Sequence, residues 1–308
     1  MMETQASAGA AIETKGLRKS YGAFEAVSGL DLDVPRGSIY GFLGRNGAGK
    51  TTTIKMLLGM TRPTAGAGRV LGRPIDTRDE SLEIRRRTGF VSEDKGLYDY
   101  LTVAQMIAFT RPLFPAWRAD LEEKYLRAFE LPLHRKVRAL SKGMRTKLAL
   151  LLALGRGAEL LILDEPTEGL DPSMTEELLQ ALVSLIAGGG LTIFFSSHQI
   201  AEVEQIADHV CIIQHGRIAV AGALDDLREN YRRINVAFAE GAPQREFAAT
   251  TAGVEHVKRE GRWLSLLVSR NAAAVADEAR AAGALSVEVV PVGLKDIFLE
   301  TVRDKDKG

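Results

Sequence analysis

The segment GRNGAGKTT, residues 44–52, combines glycines with a lysine and hydroxyl side chains, between an apolar run and the helical pattern IKMLLGM. Glycines let backbone N–H groups curl around phosphate oxygens, and a helix start adds positive potential. Lys50 can reach terminal phosphates, and Thr51 can ligate Mg²⁺. The pattern predicts a nucleoside triphosphate site without specifying its use. The predicted phosphate contacts are Gly44, Asn46, Gly47, Ala48, Gly49, Lys50, Thr51 and Thr52.

A second segment, LLILDEPTEGLDP at residues 160–172, joins an apolar run to acidic side chains. The apolar residues predict a buried strand that presents Asp164 and Glu165 at its carboxyl end. Asp164 would hold Mg²⁺ through water, and Glu165 could orient or deprotonate the attacking water. This interpretation places the acids beside the glycine-rich loop if the two strands are neighbours. The alternative is that the two acids cap a helix or are solvated in a loop.

Composition limits the classes of partner. The chain has 308 residues, with 40 basic and 40 acidic side chains, so neither nucleic acid nor an anionic membrane is favoured as a partner. Cys211 is the single cysteine, and we expect a buried, inert thiol. No run approaches the roughly 20 apolar residues of a membrane span, and the N-terminus does not resemble a secretory signal. We expect the protein in the cytoplasm.

Short apolar strands alternate with helical patterns through about the first 220 residues, which predicts an α/β domain with central parallel strands. The apolar runs GSIYGFLG, AELLILDEP and LTIFFSSH are typical of strands covered on both faces. A helix should begin at Pro172, capped by Asp171, and end at the glycines 188–190. From about Leu224 the pattern changes to a small α+β unit without a catalytic motif.

The order of these motifs closely resembles the ATP-hydrolysing subunit of ATP-binding cassette (ABC) transporters, from about Ile12 to Ala223. The resemblance implies an α/β fold with a P-loop NTPase core of the ABC type and a helical subdomain at about residues 94–150. It divides the chain into a flexible N-terminus at 1–11, an ATP-binding domain at 12–223 and a C-terminal α+β accessory domain at 224–308.

The resemblance also implies a ligand for the segment LSKGM, residues 140–144. This segment occupies the place of the family's signature sequence, which contacts the γ-phosphate of ATP held by the other subunit. Ser141 would cap the helix and bind phosphate, and Gly143 would allow close backbone approach. Lys142 and Met144 depart from the usual signature, so Lys142 could either add charge at the phosphate or point to solvent.

Further roles are implied position by position. Tyr21 matches the aromatic residue that stacks on adenine, and His198 matches the switch histidine that contacts the γ-phosphate. Asp171 matches the aspartate that links the two sites of the dimer. Glu93 stands where the family normally has a glutamine that contacts Mg²⁺, and a carboxylate is an acceptable ligand for that ion.

The region between Glu93 and Leu140 resembles the part of the family that receives a cytoplasmic helix of the membrane partner. Tyr98, Tyr100 and Phe114 are the side chains that we predict for that contact. The alternative is that they pack within the helical subdomain.

The resemblance implies an ATPase that binds ATP and Mg²⁺ as a homodimer, peripheral at the cytoplasmic face of the membrane beneath separate polytopic permease subunits. The single cassette with its small C-terminal unit is most similar to bacterial drug exporters. The rival interpretation is a soluble ATPase switch in DNA repair or translation, whose members usually carry a long coiled-coil insertion or two cassettes. A third is that the C-terminal unit makes the chain a regulatory or dimerising module that happens to bind ATP, against which Glu165 and His198 argue.

Overall fold

The computed structural model describes residues 9–239 and 251–303. Internal contacts divide the chain into two compact units, Met1–Ala221 and Gly222–Gly308. Most of the predicted flexible segment 1–11 and parts of the predicted accessory domain, 240–250 and 304–308, lie outside the described residues. Among the described helices, none combines the length and apolar character that a membrane span requires.

The first unit contains two sheets and seven helices within the described residues. The strands are β1 Ile12–Tyr21, β2 Phe24–Leu30, β3 Asp33–Val34, β4 Ile39–Leu43, β5 Ala65–Val70, β6 Arg73–Pro74, β7 Thr88–Val91, β8 Leu160–Asp164, β9 Thr192–Ser197, β10 His209–Gln214 and β11 Arg217–Ala223. The helices are α1 Lys50–Leu57, α2 Arg78–Arg87, α3 Val103–Thr110, α4 Ala119–Ala128, α5 Lys142–Gly155, α6 Pro172–Ala187 and α7 Ile200–Ile206.

The larger sheet has the strand order β11-β10-β4-β9-β8-β7, and the pairs from β10 to β7 are parallel. All residues of β4, β8 and β9 are buried, as expected for parallel strands covered on both faces. Cys211 of β10 is also buried, and burial raises the pKa of its thiol far above the usual range. This sheet confirms the predicted α/β core with parallel strands at its centre.

A second, antiparallel sheet has the order β2-β1-β5-β6, with β3 also paired to β1. Sequence analysis did not identify it. Both sheets share one core with α1: Ile54 of that helix is buried in the same cluster as Val70 of β5 and Phe194 of β9. The helix that follows the glycine-rich loop is therefore held from both sides.

Helix boundaries agree with the predicted caps. The Ser141 hydroxyl accepts a hydrogen bond from the Met144 N–H at 3.2 Å at the start of α5, whose last eight residues are all buried. Asp171 accepts one from the Met174 N–H at 3.0 Å at the start of α6, and Gly188 follows the last residue of that helix. Each cap satisfies an N–H group that has no partner within its helix.

The second unit has one antiparallel sheet in the order β13-β14-β12-β15, and α9 packs on one face of it. Arg233 projects from the opposite face and pairs with Asp296 and Glu300 of the last helix, α10. The strands are β12 Arg232–Ala237, β13 Val254–Glu260, β14 Trp263–Val268 and β15 Ser286–Pro291; the helices are α8 Leu224–Asn230, α9 Ala272–Ala281 and α10 Leu294–Arg303.

Candidate active site

The glycine-rich loop joins β4 to α1. Gly49 has φ 109°, and a Cβ there would lie 2.6 Å from the carbonyl oxygen of Ala26, so both conformation and space require glycine. Lys50 is buried, and its ammonium group donates to the carbonyl oxygens of Gly44 at 2.7 Å and Arg45 at 3.3 Å. The lysine charge therefore lies inside the curve of the loop, where a phosphate would meet it.

Glu165, directly after β8, brings two distant segments together. Its Oε1 lies 3.0 Å from Lys50 Nζ as an ion pair, and its Oε2 lies 2.9 Å from His198 Nδ1. The Glu165 side chain is only 8% exposed, and its φ of 46° is in the left-handed region that non-glycine residues seldom adopt. Such backbone strain is concentrated at functional sites.

The strand order differs from the arrangement on which the sequence interpretation depended. The strands β4 and β8 are not neighbours, because β9 lies between them. The contact between Lys50 and Glu165 forms nonetheless, because the long lysine side chain reaches across the carboxyl end of β9. The loop is also tied to β9 directly, by a hydrogen bond of 3.1 Å from the Gly44 N–H to the Ser197 carbonyl oxygen.

Ser196 of β9 holds the neighbouring acids in place. Its hydroxyl donates to Asp164 Oδ1 at 2.7 Å and accepts from the Glu165 N–H at 3.0 Å. This contact follows from the strand register, which places Asp164 opposite Ser196. The sequence signal was a pair of serines at the end of an apolar strand, and its significance was missed.

A second buried carboxylate, Glu202 of α7, lies behind this group. One of its oxygens, Oε2, accepts hydrogen bonds from Ser197 Oγ and Thr167 Oγ1, both at 2.8 Å. Burial raises the pKa of Glu202, against the lowering effect of these two hydrogen bonds. Sequence analysis singled out neither Glu202 nor the hydroxyls that contact it.

His198 follows β9 and is half-buried. Its second ring nitrogen, Nε2, lies 3.6 Å from Glu168 Oε2, while Nδ1 contacts Glu165. The ring therefore lies between two carboxylates of the segment after β8. Glu168 was not identified from the sequence.

The three predicted Mg²⁺ ligands, Thr51, Glu93 and Asp164, line one cavity of about 600 Å³. Lys95 and Lys142 line the same cavity. The Lys95 ammonium lies 3.4 Å from the Pro166 carbonyl oxygen, and burial lowers the pKa of Lys95. Hydroxyl and carboxylate oxygens are the donors that Mg²⁺ prefers, so this set fits the ion.

Comparisons with known proteins identify the family of the chain. The family model described as "ABC transporter" matches residues 27–168. The bacitracin transport ATP-binding protein BcrA of Bacillus licheniformis is 39% identical over 224 residues, which cover 72% of each chain. The chain belongs to the ABC transporter family, as an ATP-binding subunit. It is therefore an ATPase of this family, whose cassettes bind nucleotide.

Two further comparisons support the same family. The Nod factor export ATP-binding protein I of Cupriavidus metallidurans is 32% identical over 297 residues, covering 94% of this chain and 97% of that protein. A solved structure described as "Structure of ATP binding subunit of ABC transporter" has 32% identity and a TM-score of 0.64, covering 71% of this chain and 92% of that one. The likeness to the Nod factor relative thus extends over nearly the whole chain.

Three further residues predicted from the ABC resemblance are Tyr21, Ser141 and Asp171. Tyr21 ends β1 with half of its surface exposed, and Lys19 Nζ lies 4.9 Å from its ring centroid. The Ser141 side chain is exposed, and among the described residues its hydrogen-bond partner is the Met144 N–H of its own helix. Asp171 is exposed and caps α6, and hydrogen bonds from the Ser173 hydroxyl and the Met174 N–H lower its pKa.

The signature segment packs against the region that follows Glu165. A Cβ added to Gly143 would clash with Met174 Cε, so the space that this glycine leaves is occupied by a side chain of α6. Lys142 is exposed, lines the cavity and approaches Gly169. These contacts couple the start of α5 to the Glu165 segment within one chain.

The three aromatic residues predicted to contact the membrane partner differ in their exposure and packing. Tyr98 and Tyr100 are exposed and contact each other with ring centroids 5.9 Å apart, and Phe109 adds an edge-on contact to Tyr98 at 5.4 Å. Phe114 is covered by the guanidinium of Arg156, 4.0 Å from its ring centroid. Tyr98 and Tyr100 thus have exposed rings, while Phe114 packs within the subdomain.

Proposed function

We propose that the chain hydrolyses ATP at Glu165 as one half of a symmetric dimer and drives export through separate membrane subunits. The observation that carries the assignment of Glu165 is its buried carboxylate, placed between Lys50 at 3.0 Å and His198 at 2.9 Å. The γ-phosphate of ATP would compete for the Lys50 charge. Binding would therefore release one oxygen of Glu165 to orient or deprotonate a water molecule, while His198 contacts the γ-phosphate and retains the carboxylate.

The phosphates would be held by the loop and by Mg²⁺. Thr51, Asp164 and Glu93 would hold the ion, which would neutralise charge on the β- and γ-phosphates. The Ser196 hydroxyl orients Asp164 for this role. We assign adenine stacking to Tyr21. The loop contacts to the phosphates are assigned to Gly44, Asn46, Gly47, Ala48, Gly49, Lys50, Thr51 and Thr52.

The second half of each site would come from another copy of the chain. The exposed hydroxyl of Ser141 lies at the N-terminus of a 14-residue helix, where N–H groups and the helix dipole favour an anion. We assign this end, with Gly143, to the γ-phosphate held by the second copy. Asp171, at the start of α6, would link the two sites across the dimer.

Export is supported by the relatives. BcrA is a transport protein and the Nod factor relative an export protein, and the latter matches nearly the whole chain. Transport relatives disfavour a switch acting in DNA repair or translation. We place the dimer at the cytoplasmic face of the membrane, bound to polytopic permease subunits through the exposed rings of Tyr98 and Tyr100.

The assignment of Glu165 is tested by Glu165→Gln, which keeps the shape and removes the basic carboxylate. We expect ATP hydrolysis to fall by about 10²–10⁴-fold, the usual contribution of a general base. Binding of ATP should persist, because Lys50 and the loop are unchanged. Steady-state hydrolysis and binding of a fluorescent ATP analogue measure the two effects.

The control is Glu123→Gln, which changes an exposed carboxylate of α4 that pairs with Arg127 on the same helix. Its hydrolysis rate should equal that of the unchanged protein. Near-normal turnover in Glu165→Gln would refute Glu165 as the group that activates water.

A further inference from the structure

Glu202 is a buried carboxylate outside the motifs that identify the family site. Only 4% of its surface is exposed. Its Oε2 accepts two hydrogen bonds, whereas Oε1 is buried without a hydrogen-bond partner among the described residues. Burying a carboxylate without full compensation costs free energy, so its presence here requires an explanation.

The two donors come from the segments that carry Glu165 and His198. Thr167 lies two residues after Glu165, and Ser197 lies directly before His198. Both hydroxyls donate to the same Glu202 oxygen at 2.8 Å. One atom of α7 thus joins two loops that are 30 residues apart in the chain.

Ser197 extends this connection to the backbone beside the histidine. Its hydroxyl donates its single proton to Glu202 and accepts a hydrogen bond of 2.9 Å from the Gln199 N–H. The residues on both sides of His198 are therefore oriented by the same hydroxyl, and the direction of that hydroxyl is determined by Glu202.

We propose that Glu202 is a positioning residue for ATP hydrolysis, which fixes the Glu165 and His198 loops relative to each other through Thr167 and Ser197. This inference rests on the proposed roles of Glu165 and His198. In this role Glu202 acts through those two hydroxyls and not by contact with ATP. Its effect is to hold the contact of 2.9 Å between His198 Nδ1 and Glu165 Oε2 in the geometry that hydrolysis requires.

Three substitutions separate this role from simple burial. Glu202→Ala removes the acceptor, so both hydroxyls lose their partner and the loops can move apart. Glu202→Gln keeps an acceptor oxygen at the same distance from the backbone. Glu202→Asp shortens the side chain, and its oxygen cannot reach both hydroxyls at hydrogen-bond distance.

We expect Glu202→Ala to lower kcat by about 10- to 100-fold, since small misplacements of catalytic groups cost up to about 10²-fold. The KM for ATP should stay within about twofold, because the phosphate loop does not depend on Glu202. Glu202→Gln should restore kcat to within a few-fold of the unchanged protein, and Glu202→Asp should resemble Ala. Hydrolysis rates per folded protein, with thermal unfolding of each variant, measure these effects.

Glu122 provides a matched control. It is 8% exposed and accepts two hydrogen bonds, from Arg111 at 2.6 Å and from the Trp117 indole N–H at 2.7 Å. It belongs to α4 and contacts neither catalytic loop. Glu122→Ala should lower thermal stability without lowering kcat, which shows what loss of a buried carboxylate does by itself.

If Glu202→Ala does not fold, Thr167→Val and Ser197→Ala test the same link from the other side. Each removes one donor with little change of volume, and each should lower kcat at unchanged KM. Their double variant should lower kcat by less than the product of the two single effects, because both act through one acceptor.

Two results would overturn the role of Glu202: a kcat of Glu202→Ala equal to that of the unchanged protein, or a Glu202→Gln variant as slow as Ala. If instead Glu165→Gln keeps normal turnover, the proposed function of the site is wrong, and this outcome is distinguishable because it does not involve Glu202.

Discussion

The carboxyl end of β8 and the start of α5 both carry residues predicted to act on the γ-phosphate, yet their surroundings are opposite. Glu165 is 8% exposed, and each of its carboxylate oxygens is met by a side chain of the same chain, Lys50 or His198. Ser141 is exposed, and its hydroxyl contacts only the N–H of Met144 in its own helix among the described residues.

The chain therefore assembles the two parts of the proposed site, an internal half and a signature half, to different extents. The internal half, Lys50, Glu165 and His198, to which we assign water activation, is assembled within one chain from strand ends and the glycine-rich loop. The signature half, at the start of α5, presents an exposed hydroxyl at a helix N-terminus, where an anion is favoured. A symmetric dimer in which each start of α5 meets the other copy's loop would use both halves twice.

The largest expected effect concerns the internal half. Lys50→Met removes a charge that the loop carbonyls and Glu165 surround. We expect hydrolysis to fall by at least about 10²–10³-fold, the cost of losing a preorganised donor to developing charge. ATP binding should also weaken, unlike in Glu165→Gln. Hydrolysis assays and titration with a fluorescent ATP analogue measure both.

The matched substitution for Lys50 is Lys124→Met, on the exposed surface of α4. It should leave the rate of hydrolysis and the affinity for ATP unchanged. Normal ATP affinity in Lys50→Met would mean that the lysine does not face the phosphates, and the internal half would need a different description.

A smaller effect is expected at the signature half. Ser141→Ala and Thr102→Ala each remove a helix cap of the same length, 3.2 Å to the third residue of the helix. Both should lower stability by about 1 kcal/mol, the usual cost of a lost cap. Only Ser141→Ala should also slow hydrolysis, by about 10- to 100-fold, because hydrogen bonds to charged groups contribute about 1.5–3 kcal/mol.

Thermal unfolding and ATPase rates of the two variants distinguish the effects. Equal loss of stability with equal hydrolysis would show that Ser141 is a cap and nothing more. The comparison between the two halves would then fail at the signature segment.

Much of the internal half could be predicted from the sequence because its elements are unambiguous. The runs that became β4, β8 and β9 each contain consecutive apolar residues, and all their residues are buried, as expected for strands covered on both faces. Lys50 begins α1, directly after the loop that follows β4, and Glu165 comes directly after β8. The sequence therefore predicted where each residue lies relative to its strand. The cap of α6 by Asp171 followed from local preference alone.

The rest depends on information that no local pattern contains. The strand β1, IETKGLRKSY, mixes buried and charged positions, so the antiparallel sheet was not identified. The strand order, with β9 between β4 and β8, is a property of the whole sheet. The contacts of Ser196 and Glu202 arise from register and packing between distant segments, which single-sequence periodicity does not encode.

The most direct test of the central claim, that two chains complete each site, mixes two variants that each hydrolyse ATP slowly. Lys50→Met and Ser141→Ala preparations are measured separately and then after co-expression, with subunits tagged so that mixed dimers can be purified. A mixed dimer has one site with Lys50 and Glu165 from one chain and Ser141 from the other. We predict that such dimers regain about half of the normal ATPase rate, since one of the two sites is intact. Mixed dimers no more active than the average of the two variants alone would contradict the account.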